Sequence, residues 1–162
     1  MRVVDDFADD ILAAWTETQR IYDTARSTRA TPAGRAAVEA YLGPLIAARA
    51  PLPTMVHKGQ TSLARVYMGA LTGASRRQVD RVIRREGLVA AARHRPGPCP
   101  LDVPVTGRIG GKPWRESLDL GEAADLMRHL GTAAFVVLSY LTGMRLGEVL
   151  GLRTGCCSRP RD

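Results

Sequence analysis

Apolar residues return at helical intervals over most of the chain. In 5–26, DDFADDILAAWTETQRIYDTAR, the residues Phe7, Ile11, Leu12, Trp15 and Ile21/Tyr22 share one stripe, which predicts an amphipathic helix. Acids crowd its first turns and arginines its last, as the helix dipole favours. Thr31-Pro32 opens a second helix, with threonine as N-cap and proline at the first helical position. It continues through AGRAAVEAYLGPLIAARA, is expected to break or kink at Gly43-Pro44, and stops at Pro51 and Pro53. The segment TSLARVYMGALTGASRRQVDRVIRREGL reads as helix, tight turn, helix. The first of the pair covers about 62–71. Gly73 caps its C-terminus, and Ser75 with Gln78 has the spacing of a capping box for the second. Val79, Val82 and Ile83 form that helix's apolar stripe, and Gly87 ends it.

The pattern breaks over 93–116. RHRPGPCPLDVPVTGRIGGKPW holds four prolines before Thr106 and four glycines, which predicts an irregular connection with one short strand near 103–105. Helical spacing returns in LGEAADLMRHL, with Leu126, Met127 and Leu130 facing inward. TAAFVVLSYLTG is apolar on nearly every face, which predicts a buried helix, Tyr140 included. A short helix over 144–152 follows. The fold class expected from these elements is all-α, organised as a helical region 1–92 with a helix-turn-helix-like unit at 62–86, a Pro/Gly-rich connection 93–116, and a further helical part 117–162.

Charge sharpens this division. The net charge is +7, but residues 1–25 hold six acids and two arginines, net −4, and 116–162 hold five bases and six acids, net −1. The excess lies in 26–115, where sixteen bases face four acids, net +12, and a basic block of this kind favours polyanions. Twenty-one of the 23 bases are arginine, a bias that GC-rich coding also produces. The longest apolar run, about 132–144, is too short to span a bilayer, and the acidic N-terminus is unlike a signal or transit peptide, so a cytoplasmic location with no membrane partner is expected.

The polar face of the helix at 75–86 carries Arg76, Arg77, Arg81, Arg84 and Arg85. Presented after a tight turn, such a helix suits a DNA major groove, where arginines reach guanine edges or phosphates. The competing reading is a solvated surface helix. Cys99, Cys156 and Cys157 form no C-x-x-C pair, and His57, His94 and His129 share no ligand spacing, so neither a metal nor a cofactor is expected, nor a small-molecule substrate. On composition alone, Arg145 and Glu148, three apart on one helix face, read as a surface pair beside an apolar helix.

The full string AAFVVLSYLTGMRLGEVLGLR resembles the segment around the first catalytic arginine of the tyrosine recombinase (phage integrase) family. Gly143, Met144, Arg145, Glu148, Val149 and Leu152 match that family's order and spacing. The preceding LDLGEAADLMRHL also fits, and VTGRIGGKPWRESLDL and LGLRTGCC look like a bacterial integrase-like subgroup. The resemblance covers 1–162, strongly from about 103 and weakly before.

The resemblance implies a helical N-terminal region that grips double-stranded DNA, followed by the first helices of a DNA-cleaving domain. It implies that Arg145 binds the scissile phosphate, since a planar guanidinium suits charge growing on non-bridging oxygens, and that Glu148 supports Arg145. The family also needs a later lysine, a His-x-x-Arg motif and a nucleophilic tyrosine. Seventeen residues follow Arg145, without lysine, histidine or tyrosine, and Tyr22, Tyr41, Tyr67 and Tyr140 all precede it. The expectation is therefore a recombinase fragment that is not catalytic alone and that has double-stranded DNA and full-length recombinase protomers as partners. The alternatives are a non-catalytic helix-turn-helix regulator and a non-functional truncated product.

Overall fold

A computed structural model of the chain describes residues 2–57 and 59–152; Cys156, Cys157 and the end of the LGLRTGCC string lie outside them. The described residues form α1 (Arg2–Ser27), α2 (Pro32–Ala47), β1 (Leu52–His57), β2 (Gln60–Leu63), α3 (Arg65–Thr72), α4 (Arg76–Arg85), α5 (Leu88–His94), β3 (Pro96–Gly97), β4 (Arg108–Ile109), β5 (Lys112–Pro113), α6 (Ala123–Thr142) and α7 (Leu146–Leu150).

The all-α expectation is therefore corrected. Helices dominate, but β1 pairs antiparallel with β2 and parallel with β3 in a sheet of order β2-β1-β3, and β4 pairs with β5 in a small hairpin. The second helix ends at Ala47, ahead of Pro51 and Pro53, where Arg49 turns left-handed at φ 50°, and the chain then runs extended from Leu52. Pro53 fits in β1 because the ladder there uses its carbonyl, which accepts the Ala64 N–H at 2.9 Å, and needs no N–H from it. Residues 103–105 are not a strand; the strands of this region lie at 96–97, 108–109 and 112–113.

The chain divides into a unit 1–124 and a unit 125–162. The core of the first joins Val38 and Leu42 of α2, Met68 of α3, Val79, Val82 and Ile83 of α4, and Leu88 and Ala92 of α5 with Leu52 and Leu63 of the sheet. The stripe expected on α4 is thus the buried one, and fully burying side chains of this size contributes about 1.5–3 kcal/mol each.

Two side-chain clusters tie distant segments of this unit together. Gln78 serves two helix starts. Its Oε1 accepts the Ser75 N–H at 3.1 Å and the Thr31 N–H at 3.3 Å, while its Nε2 donates to the Thr31 carbonyl. Thr31 caps α2 as expected, its Oγ1 accepting the Gly34 N–H at 3.0 Å. In the second cluster the buried Asp10 of α1 accepts the Thr106 N–H and hydroxyl, the Gly107 N–H at 2.9 Å and the Trp114 Nε1–H at 2.7 Å. The Phe7 and Trp114 rings meet edge to face at 5.3 Å. A Cβ on Gly107 would stand 2.6 Å from the Phe7 ring, so only glycine lets the backbone approach this closely. The Pro/Gly-rich segment is therefore held along α1 by defined bonds.

In the second unit the apolar helix differs from expectation. Tyr140 is 86% exposed and Leu141 74%, and Val136, Val137 and Leu138 are also exposed. Periodicity marks this stretch as apolar on all sides, but burial also needs a covering layer, and Phe135 and Ser139 alone among 131–140 are half-buried. Among the described residues no helix is long and apolar enough to cross a membrane.

Candidate nucleic-acid interface

The helix-turn-helix reading rests on α3, a three-residue turn and α4. The Gly73 backbone is left-handed at φ 61° and caps α3. Ser75, extended at φ −67° and ψ 151°, then starts α4, and the Gln78 bond to its N–H fixes the start of the helix. The expected first helix began at 62; residues 60–63 belong to β2 instead, and α3 begins at Arg65. The α2 helix packs against both α3 and α4, so α4 is the third helix of a compact three-helix arrangement.

All five predicted arginines of α4 are exposed. They are not equivalent. Arg85 donates to Glu39 at 2.8 Å and to Glu86 at 2.7 Å, and Glu39 also accepts Arg35 at 3.0 Å. The bonds from Arg35 and then from Arg85 hold the Glu39 carboxyl below its ordinary value. Among the described residues, no carboxylate lies within ion-pair distance of Arg76, Arg77, Arg81 or Arg84. Arg77, Arg81 and Arg84, at successive turns, line one shallow concavity with Asp80. Asp80 is in turn held by the Arg65 guanidinium at 2.6 Å. The Arg65–Asp80 pair escapes sequence reading because its members lie on different helices, outside the i, i+4 spacing that flags local pairs.

Arg145 and Glu148 belong to the other unit. Here α6 ends at Thr142, Gly143 turns the chain at φ 65°, and Arg145 is the exposed N-cap of α7. The Glu148 carboxylate accepts the Arg145 backbone N–H at 2.8 Å. Glu148 thus fixes the start of the helix that carries Arg145 through the main chain, and Arg145 presents its guanidinium to solvent. The positive φ at Gly143 is the physical content of the Thr-Gly break, since other residues rarely adopt it.

Two further groups of chemical interest, Cys99 and Tyr67, are held in their protonated forms. Cys99 is fully buried, and burial, with Asp119 adding to it, pushes its thiol up to about 12. Tyr67 is likewise pushed up to about 12, first by burial, and donates its hydroxyl to the Pro100 carbonyl at 3.1 Å. Among the described residues no three His, Cys, Asp or Glu side chains are grouped as a metal ligand set. No protein-family model, no curated protein and no solved structure matches the chain.

Proposed function

We propose that these residues are a DNA-binding part of a tyrosine recombinase or integrase, working in the cytoplasm on double-stranded DNA beside other recombinase protomers. The observation that carries the reading is the α4 face. A capped helix after a glycine turn presents Arg77, Arg81 and Arg84 with no ion-pair partner among the described residues, in the block that holds the basic excess. The assignment to recombination rests on the string Gly143–Leu152, in which Arg145 is the phosphate ligand and Glu148 positions it through the backbone bond. No cofactor or small-molecule substrate enters this reading.

The test is a titration of duplex DNA with the chain at rising salt. Binding that weakens linearly on a log–log plot is expected, because each phosphate contact releases counterions. No binding even at low salt sinks the reading.

A non-catalytic helix-turn-helix regulator is the second reading. It is favoured by one feature: the α3–α4 unit sits in a core complete within 1–124, which does not include Arg145. Selective binding to two-fold symmetric sites by a dimer would support it over the first.

A further inference from the structure

We infer that the DNA surface of this chain does not end at α4 but crosses onto the β1–β2 hairpin and α5, where Arg93 takes a phosphate of the flanking backbone. The inference rests on the DNA-binding reading of α4.

Beside α4 lies a second cleft, between β2 and α5. Gln60, Thr61, Ser62 and Leu63 of β2 line it together with Arg65 of α3 and with Val89 and Arg93 of α5. It has no carboxylate in its lining. Its hydroxyl, amide and guanidinium groups are the donor types that contact phosphate in protein–DNA interfaces. Arg93 and Ser62 are exposed, and among the described residues no carboxylate pairs with Arg93.

The two concavities are linked by an ion pair. Arg65 lines the hairpin cleft, and its partner Asp80 lines the α4 concavity. Alone, Asp80 would set a negative charge among Arg77, Arg81 and Arg84, where it would repel phosphate. The 2.6 Å pair with Arg65 neutralises it at the point where one surface passes into the other. The resulting strip is positive at both ends and neutral between them. A helix lying in the major groove sets its neighbouring elements over the flanking sugar-phosphate backbone, and a cleft that carries two arginines, hydroxyls and an amide between apolar side chains offers that backbone donors. Contacts of this kind position the protein and do not read sequence.

The experiment measures duplex affinity against salt for the full chain and for Arg93→Ala, Arg93→Lys and Arg81→Ala. Arg93→Ala should lower the slope of log affinity on log salt by about 1 and weaken unrelated duplexes equally. Arg93→Lys should restore the slope, because a phosphate contact needs the charge. Wild-type affinity and slope in Arg93→Ala, with both reduced in Arg81→Ala, would overturn the extension and leave the α4 reading standing. An Arg93→Lys chain as impaired as Arg93→Ala also overturns it. If the parent chain binds no duplex, the α4 reading fails and the extension with it.

Discussion

The carboxylate of Asp10 accepts the indole N–H of Trp114 at 2.7 Å, joining the first helix to a residue 104 positions later. Three more donors, from Thr106 and Gly107, complete its shell. Burial pushes this carboxyl up, but the bonds from Thr106, Gly107 and Trp114 together outweigh it and hold Asp10 below its ordinary value. A lowered folded value contributes stability that is present above about pH 3.9, the unfolded value, and is lost as pH falls through the folded one. Urea midpoints should therefore drop below about pH 4, and Asp10→Asn should flatten that dependence. Asp10→Ala leaves the donors without their acceptor and should cost about 3 kcal/mol at pH 7, seen as a lower urea midpoint at unchanged slope. An unaltered midpoint would show that the cluster does not hold the segment to α1.

Gln78 links the starts of α2 and α4 through Thr31 and Ser75. Its loss should weaken two caps with one substitution. Gln78→Ala is expected to destabilise by about 1–2 kcal/mol, whereas Thr31→Ala, which removes only the bond to Gly34, should cost about 1 kcal/mol. Thermal melts of the two single variants check the order. Gln78→Glu keeps the acceptor but loses the donor to Thr31, and should fall between wild type and Gln78→Ala.

Helix positions were legible where apolar spacing was long and capped. Thr31-Pro32, Gly73 and Ser75 stand where the chain places their caps, and Val79, Val82 and Ile83 are buried as their stripe predicts. The sheet was not legible. Its strands have two to six residues, too few to show alternation, and the two prolines of PLPT, Pro51 and Pro53, argued only for a stop. The exposure of α6 was hidden for another reason: an apolar sequence states a preference for burial, and whether a layer covers it is a tertiary fact. At the candidate site, five arginines on one face could be read from spacing. That Arg85 is taken by Glu39, and that Asp80 is taken by Arg65, depends on which helices meet, and no local pattern encodes that.

Cys99 offers an internal marker of the first unit's integrity. Its thiol is fully buried, donates to the Thr54 carbonyl at 3.5 Å and is pushed up to about 12. In the folded chain at pH 8 it should resist iodoacetamide, because the thiolate is the nucleophile and is scarcely formed. In denaturant it should alkylate readily. Peptide mass mapping separates Cys99 from Cys156 and Cys157. Rapid native labelling of Cys99 would mean that the sheet opens at that edge.

The arginines of α4 should rank by their freedom. Arg77→Ala, Arg81→Ala and Arg84→Ala each remove a guanidinium that has no ion-pair partner among the described residues, Asp80 beside them being held by Arg65, and each should lower the salt slope of duplex binding by about 1. Arg85 already bridges Glu39 and Glu86, so Arg85→Ala should change the slope by clearly less. Glu39→Gln should then bring Arg85 closer in effect to the others, since one of its two competing carboxylates is gone. Equal effects at all four positions would mean that DNA displaces the Arg85 pairs, and no effect at any would remove α4 from the interface.

Arg145 by itself should not suffice for strand cleavage. The reaction implied by the recombinase resemblance needs a tyrosine hydroxyl as nucleophile and several positive groups around the phosphate, acting together. Groups that act as a unit lose most of their effect when any is missing. Of the tyrosines, Tyr67 is pushed up to about 12 and spends its hydroxyl on Pro100, so it is a poor nucleophile. Tyr140 is the most accessible alternative in the unit that holds Arg145, at 86% exposure on α6. It precedes Arg145, whereas the family's tyrosine follows its first arginine. Incubation of these 162 residues with a nicked suicide duplex should therefore give no covalent protein–DNA species on a denaturing gel. An adduct that persists in Tyr140→Phe would point to another residue as nucleophile. One abolished by Tyr140→Phe and by Arg145→Ala would show that Tyr140 and Arg145 form a cleavage site of their own, and the non-catalytic reading would fail.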